Sequence, residues 1–267
     1  MELNDASFTL GATVILAYPD DTRVAGYRAA LALWAALADD ADSMCTAASG
    51  LAAVEVLQPL GELGLGALGT GGGDVPVAFA NPARRPGLTF CFVSGLPAAA
   101  RAPELADRLL GLFEKHGVQR VVVPAAANVS EGGAGRTRLW SLFPALAGGG
   151  PSGALADALA DVARLPAGAQ TNDAFLSALS TIAAVAAVGD VGLLIHDDRR
   201  PGTSGYRERV VFGAEFADDD DAVVVGELAR RLAAAVAAGA ACPQPSVEVA
   251  RVRLGAEAAA RRPGICS

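Results

Sequence analysis

The stretch Leu88 to Pro124, LTFCFVSGLPAAARAPELADRLLGLFEKHGVQRVVVP, decides the fold class. It opens on a short apolar run, Leu88 to Ser94, and closes on another, Arg120 to Pro124 (RVVVP). Between them, Glu104 to His116 places Leu105, Leu109, Leu112 and Phe113 on one side of a helix, and Gly117 stands where a helix commonly ends. A short, wholly apolar strand on each side of an amphipathic helix is the pattern of a buried parallel pair joined by a crossover. The fold class expected from it is α/β.

The same alternation extends in both directions. Upstream, Thr13 to Ala17 (TVILA) reads as a strand that ends at the turn signal Pro19-Asp20-Asp21. Thr22 to Ala38 then reads as a helix with Leu31, Trp34, Ala35 and Ala38 on one face. Val54 to Leu57 is a further strand candidate, and the glycine-dominated Gly61 to Gly73 is a loop. Val75 to Ala80 and Leu88 to Ser94 are separated by turn residues from Asn81-Pro82 to Pro86-Gly87, which suits a hairpin. Downstream, polar and glycine-rich connections flank Leu139 to Leu146 with its Trp140 and Phe143. Leu155 to Leu165 and Asp173 to Val188 read as helices, the second opened by the capping cluster Thr171-Asn172-Asp173. Val191 to His196 is another buried strand, Ala222 to Ala238 another helix, and Val247 to Leu254 a last strand candidate. No linker insists on two domains and no repeat is visible. The expectation is one domain over residues 1–267, a three-layer α/β/α architecture with a mostly parallel central sheet and a flexible tail from about 255 to 267.

Composition bounds the function. Hydrophobic residues are 52% of the 267 and charged residues 19%, enough for a sizeable core and unlike a disordered chain. The net charge is −8, and Arg and Lys form no block longer than a pair, so no basic face for nucleic-acid phosphates is expected. The acidic run Asp218 to Asp221 suits a solvated loop or the first turn of a helix, where carboxylates meet the positive end of the dipole. The spacing of Cys45, Cys91, Cys242 and Cys266 fits no zinc or redox motif. Ala174 to Gly189 is free of charge but falls short of the roughly 20 residues a spanning helix needs. The acidic N-terminus, Met1 to Asp5, lacks the features of an export signal. Reduced thiols and no export signal point to the cytoplasm and also the nucleus, with no membrane partner.

Three motifs invite chemistry. Gly64 to Gly69 (GLGALG) has the glycine spacing of a dinucleotide-binding turn, but Pro59 to Leu63 is a poor strand and Thr70 to Gly73 cannot begin a helix, so no cofactor is expected. Ser94 and His196 each end a strand, and Asp197 follows His196, so these three would form a hydrolytic triad only if the fold gathered them. No G-x-S-x-G elbow surrounds Ser94, and His116 sits at a helix end where a structural role suffices. Asn128-Val129-Ser130 is a glycosylation sequon by pattern alone. The C-terminus, Pro263-Gly264-Ile265-Cys266-Ser267, reads as an extended tail able to offer a hydrophobic side chain and a carboxylate to a partner's pocket.

The order of segments resembles the proteasome assembly chaperones, and is most similar to the first member of the eukaryotic heterodimeric pair. Leu88 to Pro124 carries the likeness, with Leu139 to Ala147 (LWSLFPALA) after its Ser/Gly-rich turn. Gln170 to Asp197 adds the asparagine-led helix and the strand ending Leu193-Leu194-Ile195-His196-Asp197. The resemblance implies an α/β fold without enzymatic activity that pairs with a second, related assembly chaperone. It implies binding of α-type proteasome subunits, promotion of α-ring assembly in the 20S core, and exclusion of premature partners. Family members end in a hydrophobic-tyrosine-any tripeptide that docks between α subunits. Ile265 matches the hydrophobic position and Ser267 would supply the carboxylate, whereas Cys266 departs from the tyrosine. The competing expectation is an enzyme of nucleoside-phosphorylase-like or hydrolase type on a similar fold, which would gather Ser94, His196 and an acid in one pocket.

Overall fold

Four short apolar runs form the middle of the sheet because each is apolar toward both faces and must be covered twice. The structure is a computed structural model and describes residues 1–20, 24–39, 42–56, 73–129, 139–142, 155, 157, 159–166, 168–186, 189–197 and 219–237. The strands are β1 (Glu2–Leu3), β2 (Thr13–Ala17), β3 (Ser43–Val56), β4 (Asp74–Asn81), β5 (Leu88–Val93), β6 (Gly95–Pro97), β7 (Arg120–Ala127), β8 (Leu139–Leu142), β9 (Ala163–Arg164) and β10 (Asp190–Asp197). They join one sheet in the order β1-β3-β4-β5-β2-β7-β10-β8-β9, with β6 attached to β3. The core of that sheet, β5-β2-β7-β10, is parallel throughout. On the flanks β3, β4 and β5 form an antiparallel meander and β8 runs against β10, while β9 pairs parallel with β8 at the edge.

Period-two alternation then divides the strand residues between two helical layers. Leu16, Val121, Val123, Leu193 and Ile195 point to one face. There they meet Leu105, Leu109 and Phe113 of α2 (Ala102–Lys115) and Phe175, Leu176 and Leu179 of α3 (Ala174–Ala183). Ile15, Phe90, Phe92, Val122 and Leu194 point to the other. They meet Leu33 and Trp34 of α1 (Ala25–Leu37) and Leu228 and Leu232 of α4 (Asp219–Ala237). Trp34 meets Phe90 edge-on at 5.4 Å, and Tyr18 packs on Phe175 at 4.7 Å, within the preferred range for ring pairs. The expected three-layer α/β/α architecture is therefore present, with α1 and α4 on one side and α2 and α3 on the other.

Several local expectations hold. The β4–β5 hairpin turns through Pro82 to Leu88 on two backbone hydrogen bonds, and α2 is followed, after its cap His116, by Gly117, whose φ of +68° suits glycine. Asp173 caps α3 by accepting from the Leu176 amide at 2.8 Å. Other elements differ. β5 and β7 are parallel, as the crossover required, but β2 lies between them and α2 spans it. The apolar TVILA run, buried on both faces, claims the central place.

The strand expected at Val54 to Leu57 is the end of a much longer one, Ser43–Val56. Its first part is rich in Ala and Ser and shows no alternation of large side chains; its pairing with β4 is what makes it a strand. Where a helix was expected over Leu155 to Leu165, one turn closes from Leu159 back to Leu155, and Ala163–Arg164 then pair with β8. α3 stops at Ala183, and no helix among the described residues is long and apolar enough to cross a membrane. Val247 to Leu254 and the tail from about 255 lie outside the described residues.

Candidate functional site

In an open parallel sheet, a crevice forms at the carboxyl ends of two adjacent strands whose connections leave in opposite directions. That condition is met between β2 and β7. From β2 the chain passes through α1 toward β3, on one side, while from β7 it passes through β8, β9 and α3 to β10, on the other. Buried polar side chains collect at this end of the sheet: Asp20 beyond β2, Ser94 beyond β5, His196 and Asp197 at the end of β10, and Asp173 before α3.

Asp20, three residues beyond β2, reaches the start of α1. Its carboxylate accepts from the amides of Gly26 at 2.7 Å and Ala25 at 3.3 Å, so it satisfies two of the orphan donors that open α1. The chain reaches this arrangement by placing Val24 at φ +56°, a conformation uncommon for a β-branched residue. Gly26 then lies against β7 so closely that a Cβ would overlap the Pro124 carbonyl, so only glycine fits. On the opposite face, Asp173 accepts from the Tyr18 hydroxyl at 2.8 Å as well as from Leu176. Asn172 accepts from the Asn128 amide at 3.0 Å, and Asp197 accepts from the Val129 amide at 3.3 Å. The ends of β2, β7 and β10 and the starts of α1 and α3 are thus stitched together through side chains.

Asp20 is 5% exposed and Asp173 1%. Burial is the main reason that the Asp20 carboxyl is pushed up to about 7, since water no longer solvates its charged form. The backbone donors at Gly26, Ala126 and Ala25 pull it down, while the neighbouring Asp173 charge pushes it further up. This carboxyl stands at the N-terminus of α1, and the donors that face it are backbone amides.

The strand order keeps the three residues of the candidate triad apart. Ser94 ends β5 and His196 ends β10, with β2 and β7 between them. Three spacings of about 4.8 Å set the two strand ends about 14 Å apart, far beyond a hydrogen bond. Ser94 instead shares a hydrogen bond of 3.0 Å with the Tyr27 hydroxyl, and Asp197, adjacent to His196 on a strand, points to the opposite face. Cys45 and Cys91 are free and buried. Both stand opposite Phe79, one on each neighbouring strand, which puts two strand spacings between them. Among the described residues no group of three or more His, Cys, Asp or Glu could hold a metal ion. Gly64 to Gly69 and the tail residues Ile265, Cys266 and Ser267 lie outside the described residues.

From sequence Asp20 reads only as part of a turn signal and Asp173 only as part of a capping cluster, and nothing marks Tyr18. The signal that joins them is position: Tyr18 and Asp20 follow directly on an apolar strand that proves to be central and parallel, where α/β sheets place their functional groups.

No protein-family model matches the chain, and no curated protein sequence matches it. Solved structures do. PbaA of Pyrococcus furiosus, described as an archaeal homolog of proteasome-assembly chaperone, superposes with a TM-score of 0.56 at 15% identity, over 93% of this chain and 90% of PbaA. Rv2714 of Mycobacterium tuberculosis, a protein of unknown function, matches with a TM-score of 0.50 at 13% identity, over 97% and 78% of the two chains. A proteasome-assembly chaperone homologue of the same bacterium, Rv2125, matches with a TM-score of 0.47 at 11% identity, over 94% and 96%. At these identities the likeness is one of fold.

Proposed function

We propose that this chain is a binding protein of the proteasome-assembly chaperone type. The observation that carries the reading is the extent of the likeness to PbaA, which takes in 93% of this chain and 90% of PbaA. The separation of Ser94 from His196 removes the geometric basis of the hydrolase alternative.

In this reading the chain binds α-type proteasome subunits, promotes assembly of their ring, and works beside a second, related chaperone in the cytoplasm and nucleus. Its net charge of −8 would favour encounter with basic patches on such subunits through long-range attraction, without selecting one by itself. The tail Ile265-Cys266-Ser267 would assist, with Ile265 entering an apolar pocket and the terminal carboxylate meeting a cation.

Affinity capture of the tagged chain from its own cells, followed by mass spectrometry, tests the reading. Recovery of α-type proteasome subunits together with a small related partner is the expected result. Their absence, with the tagged chain shown to be folded, would sink it. Deletion of residues 265–267 is expected to weaken the capture of α subunits; unchanged capture would limit binding to the body of the domain.

A further inference from the structure

A helix that is apolar nearly all round is normally covered all round, since it lacks the charged face that a surface helix turns to water. α3 reads AFLSALSTIA and, alone among α1 to α4, carries no charged side chain. Phe175, Leu176, Leu179 and Ala183 bury one side of it against the sheet. The opposite side is open: Ala174, Ser177, Thr181 and Val185 are exposed, and Val185, in the turn that closes the helix, is 74% exposed. Between the two sides, Ala178, Ile182 and Ala186 follow one another at a spacing of four and are only partly buried. They carry the apolar surface round one flank of the helix.

The two hydroxyls on the open side make hydrogen bonds within the chain. Thr181 donates to the Ser177 carbonyl at 2.9 Å, and the hydroxyls of Ser177 and Thr171 share a bond of 3.0 Å. Covering this face would leave neither hydroxyl orphaned, so the usual cost of burying a polar group is avoided.

Charge and shape together select the occupant. A chain of net charge −8 repels its own copy over most approaches, and α3 offers one that brings no acid of the helix against another. The face is also its own complement. Laid antiparallel across a two-fold axis, it sets Val185 opposite the second copy's Ala174, and Thr181 opposite the second copy's Ser177 and Ala178. The largest side chain of the open side then meets the smallest, and small residues at the centre let the helix axes approach to about 8–10 Å.

We propose that α3 is the contact face of a symmetric dimer, packed antiparallel against α3 of a second copy of this chain. Such a dimer forms whether or not the chain acts on proteasome subunits. Its contact is apolar and holds no ion pair, so salt tightens it by screening the repulsion between the two copies.

Sedimentation and light scattering of the purified full-length chain, in a dilution series under reducing conditions, read the dimer. Twice the mass of one chain is expected at high concentration, with a dissociation constant that falls as salt is raised. Val185→Asp and Thr181→Lys change exposed positions and should leave the thermal unfolding profile of the monomer intact. Each should weaken association by roughly tenfold or more, because a charge loses its water at the contact. Mixing Thr181→Lys with Ser177→Glu should restore association, since the two charges then face each other across the axis. A wild type that stays a monomer up to roughly 1 mM would overturn the proposal. A dimer that ignores both substitutions, or one that salt dissociates, would overturn it too. So would a monomer whose α3 amides gain exchange protection only when another protein is added, since the face then belongs to that partner.

Discussion

Raising the pH from 5 to 8 is expected to destabilise this fold, and Asp20 sets the size of the effect. Its carboxyl stands at about 7 in the folded chain against 3.8 when unfolded. Between those values the folded state binds about one proton more than the unfolded state, so stability falls by about 1.4 kcal/mol for each unit of rising pH. Stability is fullest below the unfolded value and has lost most of this contribution once the pH passes the folded value. Integrated from pH 5 to pH 8, the loss is about 2.5 kcal/mol, a large share of the roughly 5–15 kcal/mol of a typical domain.

Asp5, Glu104, Asp161 and Glu227 are held below their ordinary values, so their contributions are present above the ordinary carboxylate range and are lost only in stronger acid. They are silent in the window that matters. Urea unfolding at pH 5, 6, 7 and 8 measures the slope, with Asp20→Asn as reference. The wild type should lose about 2.5 kcal/mol relative to the variant across the series, whatever constant offset the altered cap introduces. A wild type and a variant that run parallel across the whole range would refute the reasoning.

Gly26→Ala forces a Cβ into the Pro124 carbonyl and should destabilise by about 1–3 kcal/mol, the usual range for overpacking, with a lower urea midpoint as the readout. Tyr18→Phe withdraws a donor from the buried Asp173 carboxylate and should cost about 1–3 kcal/mol, measured in the same unfolding assay at pH 8. Ser94 should label with a fluorophosphonate no faster in the folded chain than in unfolded protein, because His196 lies across two strands. Cys91 should react with a thiol reagent only on unfolding, since burial pushes its thiol well above the ordinary value and leaves no accessible thiolate. No disulfide to Cys45 should form, because two strand spacings place their Cα atoms about 10 Å apart, beyond the reach of such a bond.

The layered fold was readable because its central strands are apolar on both faces and its helices carry one apolar stripe. Leu88 to Pro124 alone announced an α/β crossover, and Asp173 announced the start of α3. Strand order was not readable. Nothing in TVILA says that it lies between β5 and β7, since register and neighbours are settled by long-range packing. The long β3 was hidden for the same reason, its Ala- and Ser-rich face taking its character from β4.

The crevice followed the order: once β2 is central, the turn residue Asp20 becomes a buried acid beside Asp173, and Ser94 and His196 become distant. Local chemistry named the cap of α3, and the topology turned the turn residue Asp20 into a buried acid.

The central claim is that this chain binds α-type proteasome subunits, and purified components test it most directly. The chain would be mixed with α-type subunits of its own organism, and the products sized by chromatography with light scattering. The account predicts a defined complex and a faster or fuller appearance of α rings when the chain is present. A folded chain that elutes alone and leaves ring formation unchanged would contradict it.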